Sequence, residues 1–150
     1  MSAEVCDRAS KSVLCWLATV DDDGQPNVSP KEIWKIADEN HVVIANIASP
    51  VSVRNVTLNK KVCLSFVDVL VQKGFKLYGV AQVIPADDPT FFNWAQSLLD
   101  MVGDRFRLHS VIVVKVSSVQ PILAPSYWMY PQETTEQSQV AAARKNYGFN

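Results

Sequence analysis

The sequence is poor in the residues that build metal centres, disulfide frameworks and glycine-rich loops. Three cysteines, Cys6, Cys15 and Cys63, and two histidines, His41 and His109, are scattered over 150 residues. The cysteines are odd in number and form no CxxC, so neither a disulfide scaffold nor a zinc ribbon is expected, and zinc or haem ligation has little support. Five glycines make neither GxGxxG nor GxxxxGK[ST], which leaves out the dinucleotide fingerprint and the P-loop. Charge of one sign is also missing: 14 Lys and Arg stand against 15 Asp and Glu, a formal net charge of -1. Without a basic block, no nucleic-acid face and no anionic membrane surface is expected. No run approaches the ~18 apolar residues of a membrane span. The first twelve residues carry Glu4, Asp7, Arg8 and Lys11 rather than the apolar segment of a signal peptide. A cytoplasmic protein is the expectation.

What the sequence has is apolar strand. Hydrophobic residues make up 48% and charged residues 19%, the balance of a single globular domain able to bury a core. After a short helix over residues 4–11, the run 12–20 (SVLCWLATV) reads as a buried strand. It ends in Asp21-Asp22-Asp23-Gly24, a hairpin signal; a calcium loop is not expected there, because the later bidentate Glu is missing. A second strand is expected over 27–36, a turn at Asp38-Glu39-Asn40, and a third strand over 41–47, together an antiparallel meander. Ser49 and Pro50 then open a helix that ends near Asn59. Strands follow over 61–71 and 75–84, with Lys73-Gly74 as the turn between them. Thr90 caps a helix whose Phe91, Trp94, Ala95, Leu98, Leu99 and Val102 form one apolar stripe, with Gly103 at its end. A last strand covers 109–116. Six strands with a helix after the third and another before the sixth predict a small antiparallel barrel. From Pro121 the texture changes to a proline-bracketed aromatic segment, Tyr127-Trp128-Met129-Tyr130, and a polar, partly helical tail that needs a surface to pack on.

Two segments suggest chemistry. The helix at Ser49 offers free amides at Val51 to Val53 and the positive end of a helix dipole, with the Ser49 and Ser52 hydroxyls and Arg54 nearby, a ready anion site. The competing reading is that Ser49 only caps its own helix and Arg54 faces water. In Pro26-Asn27-Val28-Ser29-Pro30-Lys31-Glu32, Pro30 predicts an edge or a bulge that leaves backbone groups free for a flat polar ring, with Lys31 as a nearby cation; a plain edge strand with a solvated lysine reads equally well. Gly79 allows close backbone approach or simple packing. The run Arg105 to His109 reads as a solvated loop, and no nucleophile–base pair is suggested by spacing.

The ordered set Leu17-Ala18-Thr19-Val20, Asp23-Gly24-Gln25-Pro26-Asn27-Val28-Ser29-Pro30-Lys31, Ile44-Ala45-Asn46, Val53-Arg54-Asn55-Val56, Asn59-Lys60-Lys61-Val62 and Gly79-Val80-Ala81 resembles the pyridoxamine 5'-phosphate oxidase-like, FMN-binding split-barrel family. The resemblance covers roughly residues 12–118. It implies a mainly β, six-stranded antiparallel split barrel with flanking helices, forming a homodimer that binds two FMN molecules at the subunit interface. Residues 1–120 would be that domain, and 121–150 an aromatic and helical tail packing on the dimer. By the same resemblance, Lys31 and Glu32 lie on the strand that contacts the flavin ring, and Ala45 and Asn46 on its neighbour. Ser49, Ser52, Arg54 and Asn55 fall on the phosphate segment; at the C-terminus, where the sequence departs from the family, Trp128 or Tyr130 would cover the flavin or shape a pocket, the alternative being simple dimer packing. Two departures stand out. Val51-Ser52 replaces an Arg-Lys pair, a loss of ~1.5–3 kcal/mol for one guanidinium contact, and the Arg-bearing ending of the vitamin B6 oxidase is missing. The implied function is an FMN-dependent oxidoreductase acting on a small molecule, and not authentic pyridoxamine phosphate oxidation. The alternatives are a non-catalytic flavin module for electron transfer or sensing, a deazaflavin reductase lacking the usual basic groove, and a barrel that has lost its cofactor.

Overall fold

The computed structural model describes residues 1–103 and 107–148. Helix α1 (Ala3–Ser10) leads into strands β1 (Cys15–Val20), β2 (Pro26–Lys31), β3 (Trp34–Ile36) and β4 (His41–Asn46). Helix α2 (Pro50–Leu58), strands β5 (Lys61–Asp68) and β6 (Lys73–Pro85), helix α3 (Phe91–Val102) and strand β7 (Ser110–Leu123) follow. Two helices, α4 (Ser126–Met129) and α5 (Glu136–Tyr147), complete the described chain. The strands form one antiparallel sheet in the order β2-β1-β5-β6-β7-β4-β3.

This order forces the sheet to curl. Its edge strands, β2 and β3, are joined by only Glu32 and Ile33. Three Cα steps reach roughly 11 Å, whereas a flat seven-stranded sheet would hold its edges roughly 29 Å apart. The result is the expected split barrel with one correction: the second expected strand, 27–36, is two strands on opposite edges, so the described residues form seven strands and not six. The expected meander breaks at the same point. β2 pairs only with β1, and β4 pairs with β7 and β3.

Inside the barrel, Leu17, Ile44, Leu64, Phe66, Leu77 and Ile112 are fully buried, with Trp34 and Phe75 packed on Phe66. A second core, Val43, Ala45, Ile84 and Val111, lies on the outer face of the sheet beneath Phe91, Ala95, Leu98 and Val102 of α3. The stripe expected from sequence therefore packs as read, except that Leu99 is exposed.

Local chemistry decides the turns. Asp21 Oδ1 accepts from the Asp23 and Gln25 amides, and Gly24 takes φ 83°, so the Asp-Gly hairpin holds. The turn expected at Lys73-Gly74 lies earlier, at 69–72, where Asp68 Oδ1 accepts from the Leu70 amide and Gln72 adopts φ 56°. Gly74 sits within β6, and a Cβ there would lie 2.0 Å from the Phe66 carbonyl oxygen. Gly79 has the same role: its Cβ would meet the Lys115 carbonyl at 2.2 Å, beside the β6–β7 bulge. Thr90 does not cap α3; its amide and hydroxyl bond Asp88 Oδ1 instead. Gly103, at φ 59°, closes the helix as expected. In the loop expected from Arg105 to His109, Arg105 and Phe106 lie outside the described residues, whereas Arg107 and His109 are exposed.

Cys15 is buried and Cys63 half-buried, and all three cysteines are free. Among the described residues no helix is long and apolar enough to cross a membrane. Among the described residues no cluster of three metal-ligating side chains occurs.

Candidate functional site

β2 is built inside out. Its even positions, Pro26, Val28 and Pro30, are exposed, whereas Asn27, Ser29 and Lys31 turn towards the barrel. They lie directly across from Thr19, Leu17 and Cys15, the buried residues of β1. A half-buried strand normally shows the reverse alternation, so the polar inner face of β2 is unpaid by packing and points to a polar function. The two prolines are tolerated because β2 is an edge.

Lys31 is the centre of this face. It is 5% exposed, and its ammonium donates to Ser29 Oγ at 2.9 Å and to Ser49 Oγ. No carboxylate pairs with it among the described residues. Burial draws its pKa below the ordinary lysine value. Its cross-strand neighbour Cys15 offers no counter-charge either, because burial pushes that thiol up and keeps it protonated. A buried cation ringed only by hydroxyls lacks the partner that normally makes such burial tolerable.

Ser49 belongs to the start of α2. It was open whether its hydroxyl caps that helix; it does not, and binds Lys31 instead. Of the amides expected to be free, Val53 is taken by the Ser49 carbonyl at 3.0 Å, and Pro50 has none. Those of Val51 and Ser52 precede the first helical bond. Lys31, Ser49 and the opening turn of α2 thus converge.

Ser52 and Asn55 are both 1% exposed on the inner side of α2. Asn55 Nδ2 donates to Thr19 Oγ1 at 3.1 Å, and Asn27 Nδ2 reaches the same hydroxyl at 3.3 Å. Asn55 Oδ1 is buried without a partner. Asn46, at the end of β4, repeats this arrangement: Nδ2 donates to Ser110 Oγ at 2.8 Å while Oδ1 is buried and unsatisfied. Asn46 and Asn55 thus each keep a buried acceptor without a donor, and Lys31 a buried ammonium without a carboxylate among the described residues, groups that a ligand carrying both donors and negative charge would satisfy.

The other expected residues sit elsewhere. Arg54 is exposed on the outer side of α2 and makes no ion pair among the described residues. Ala45 faces the core under α3, and its amide is taken by the Ile33 carbonyl at 2.9 Å. Glu32 is exposed and lines an apolar cavity of about 540 Å³ between α1 and β3, with Val13, Trp34, Ile36 and Met101. Trp128 is 66% exposed on α4. Thr19, Asn27 and Ser29 were not singled out as site residues, although the alternation Asn27, Ser29, Lys31 is a period-2 polar signal legible in the sequence.

The comparisons agree with this architecture. A family model described as pyridoxamine 5'-phosphate oxidase matches residues 1–122. No curated protein matches the sequence. Among solved structures, HupZ of Group A Streptococcus is 24% identical, covering 79% of this chain and 91% of that one at a TM-score of 0.65. An FMN-binding protein from Syntrophomonas wolfei subsp. wolfei is 15% identical, covering 81% and 88% at a TM-score of 0.66. HutZ, the heme storage protein from Vibrio cholerae, is 15% identical, covering 80% and 92% at a TM-score of 0.64. At these identities the solved structures establish the split-barrel fold, and the family model, which spans most of the sequence, establishes the lineage: the chain belongs to the pyridoxamine 5'-phosphate oxidase family.

Proposed function

We propose that this protein binds FMN and acts as an FMN-dependent oxidoreductase on a small molecule, without being an authentic pyridoxamine phosphate oxidase. The observation that carries the reading is Lys31, a buried ammonium with hydroxyl partners and no carboxylate. A phosphate at the opening of α2 would complete its charge, with Ser49 and the amides of Val51 and Ser52 as further donors. The donor set fits that end of the cofactor even though Val51-Ser52 stands where relatives carry an Arg-Lys pair. Asn46 Oδ1 and Asn55 Oδ1 fit its hydroxyl or ring N–H groups, because both are buried acceptors without donors. When bound, the flavin supplies the hydride or electron chemistry; this chain's residues bind the phosphate, orient the group and exclude water. Arg54, exposed on the outer side of α2, acts on the phosphate only through long-range charge.

We further propose that the protein is a homodimer closing over the exposed apolar side of β1 and β2. Val28 is 60% and Trp16 44% exposed, and they point away from the barrel on adjacent strands. The reading of Trp128 as a flavin cover from the partner subunit belongs to this proposal; its 66% exposure leaves the indole available for it.

An absorbance spectrum of freshly purified protein, followed by release and identification of the chromophore, tests the cofactor. Flavin bands with FMN released support the proposal; a haem spectrum, or no chromophore after incubation with excess FMN, rejects it. A non-catalytic flavin module is the second reading, favoured by the absence of a carboxylate or imidazole beside Lys31 among the described residues. Reduction by NADH or NADPH followed by reoxidation with an acceptor supports the enzyme, and reduction by dithionite alone supports the module.

A further inference from the structure

The opposite face of the sheet carries a smaller cavity of about 250 Å³, beside α3 and away from Lys31. His41, Lys60, Lys115 and Gln82 supply its polar lining, Val80 and Val113 its apolar floor, and Trp94 one wall. No aspartate or glutamate lines it, and neither Lys60 nor Lys115 makes an ion pair among the described residues. His41 and Lys115 are direct neighbours across β4 and β7. Asp38 engages Nδ1 of His41 at 2.9 Å from outside the cavity, which leaves Nε2 for another partner. The Trp94 ring stands 5.1 Å from that imidazole, tilted by 58°.

We infer that this cavity is a binding site for a small aromatic carboxylate. The charge is complementary: two exposed lysines without ion pairs among the described residues, and the His41 imidazole, line a space whose wall holds no aspartate or glutamate. The shape sets the rest of the ligand. At about 250 Å³ the cavity lies below the roughly 300–1,000 Å³ of drug-sized pockets, so it admits one ring and not a flavin. Trp94 and the valines give that ring an apolar seat, and the carboxylate meets Lys60 and Lys115, with Gln82 as a hydrogen-bonding neighbour. The site is independent of the proposed flavin pocket, since Lys31 faces the interior of the barrel and these residues face outward.

Benzoate is the probe, with its neutral isostere benzamide and inorganic phosphate as controls. Titration of the purified full chain is followed by NMR through the Trp94 indole and His41 ring resonances. Benzoate is expected to shift both saturably, and benzamide and phosphate to shift neither. The double variant Lys60→Gln, Lys115→Gln is expected to weaken benzoate binding at least about tenfold. The charge-preserving Lys60→Arg, Lys115→Arg variant should retain it, which separates lost charge from lost fold. Equal response to benzamide or to phosphate, or unchanged benzoate affinity in the double glutamine variant, overturns the assignment. So does a benzoate titration that never saturates.

Discussion

An ammonium group stripped of water and left without a carboxylate lowers the stability of the chain that carries it, unless a ligand supplies the missing charge. Lys31 is in that position, with only Ser29 and Ser49 to bond. Lys31→Met is therefore expected to abolish FMN retention and at the same time to raise the stability of the cofactor-free protein by about 1 kcal/mol or more. Thermal melts with and without FMN read both effects, and a variant that loses stability while keeping flavin contradicts the site. The pH dependence follows from the same burial. The Lys31 pKa lies below the ordinary lysine value, so the ammonium is lost at a lower pH than in a free lysine. Phosphate affinity should fall on the alkaline side within the window between the depressed and the ordinary lysine pKa. Cofactor-free stability should rise through that window, because there the unfolded chain binds the extra proton. Both slopes should vanish in Lys31→Met. Of these features, the presence of a lysine beside Pro30 is legible in the sequence; that it is buried is not, because burial depends on α2 folding over β2.

The strands show what a single sequence can and cannot tell about an element. Periodicity finds β2 and β3 but reads them as one strand, since Glu32 and Ile33 contain no glycine or proline to mark a break. Lys73-Gly74 looks like a turn, yet Gly74 is there because the Phe66 carbonyl leaves no room for a Cβ, a fact set by the partner strand. Gly79 is the clearest test at this scale. Gly79→Ala would drive a methyl to 2.2 Å from the Lys115 carbonyl oxygen, against backbone that can move only by breaking the β6–β7 ladder. A loss of about 3 kcal/mol or more in urea unfolding is expected. Gly103→Ala should cost only about 1 kcal/mol, because its Cβ meets nothing within 4 Å and the penalty is that of φ 59° alone. Similar losses at the two positions would mean that the close approach of β7 does not govern Gly79.

At the scale of the whole molecule, the chain ends are held together by charge. Arg8, 9% exposed, lies 3.5 Å from Asp68 and 2.5 Å from Glu136, which also bonds Lys73 at 2.9 Å. Tyr127 adds a hydrogen bond to the Val71 carbonyl at 2.9 Å beneath the Lys73 ammonium. The tail thus packs in part on the rest of its own chain. The Lys73 hydrogen bond, followed by that from Arg8, holds the Glu136 carboxyl below the usual glutamate range. Its stabilising contribution is complete above the ordinary glutamate pKa and is lost as pH falls through the depressed value. Hydrogen exchange in α5 should accelerate on acidification in that range, and Glu136→Gln should show the faster exchange already at neutral pH. The proposed dimer has its own test. Trp16→Glu combined with Val28→Glu alters only exposed side chains, so it should leave the fold intact, yield monomers in sedimentation and lose flavin with them; a flavin-loaded monomer would contradict an interfacial cofactor site.

The alternation of apolar residues, the Asp-Gly hairpin, the stripe of α3 and the proline-marked edge were determined by the sequence alone, because each rests on contacts or dihedral preferences within a few residues. The expectation of an anion at the start of α2 also rests on local features, a serine and a proline that open a helix. That β3 became the second edge, where the curled sheet brought Lys31 to Ser49, and which of the basic residues faced inward were decided only by tertiary structure. Those are contacts across 18 residues or more, set by how a seven-stranded sheet must bend when two residues join its edges.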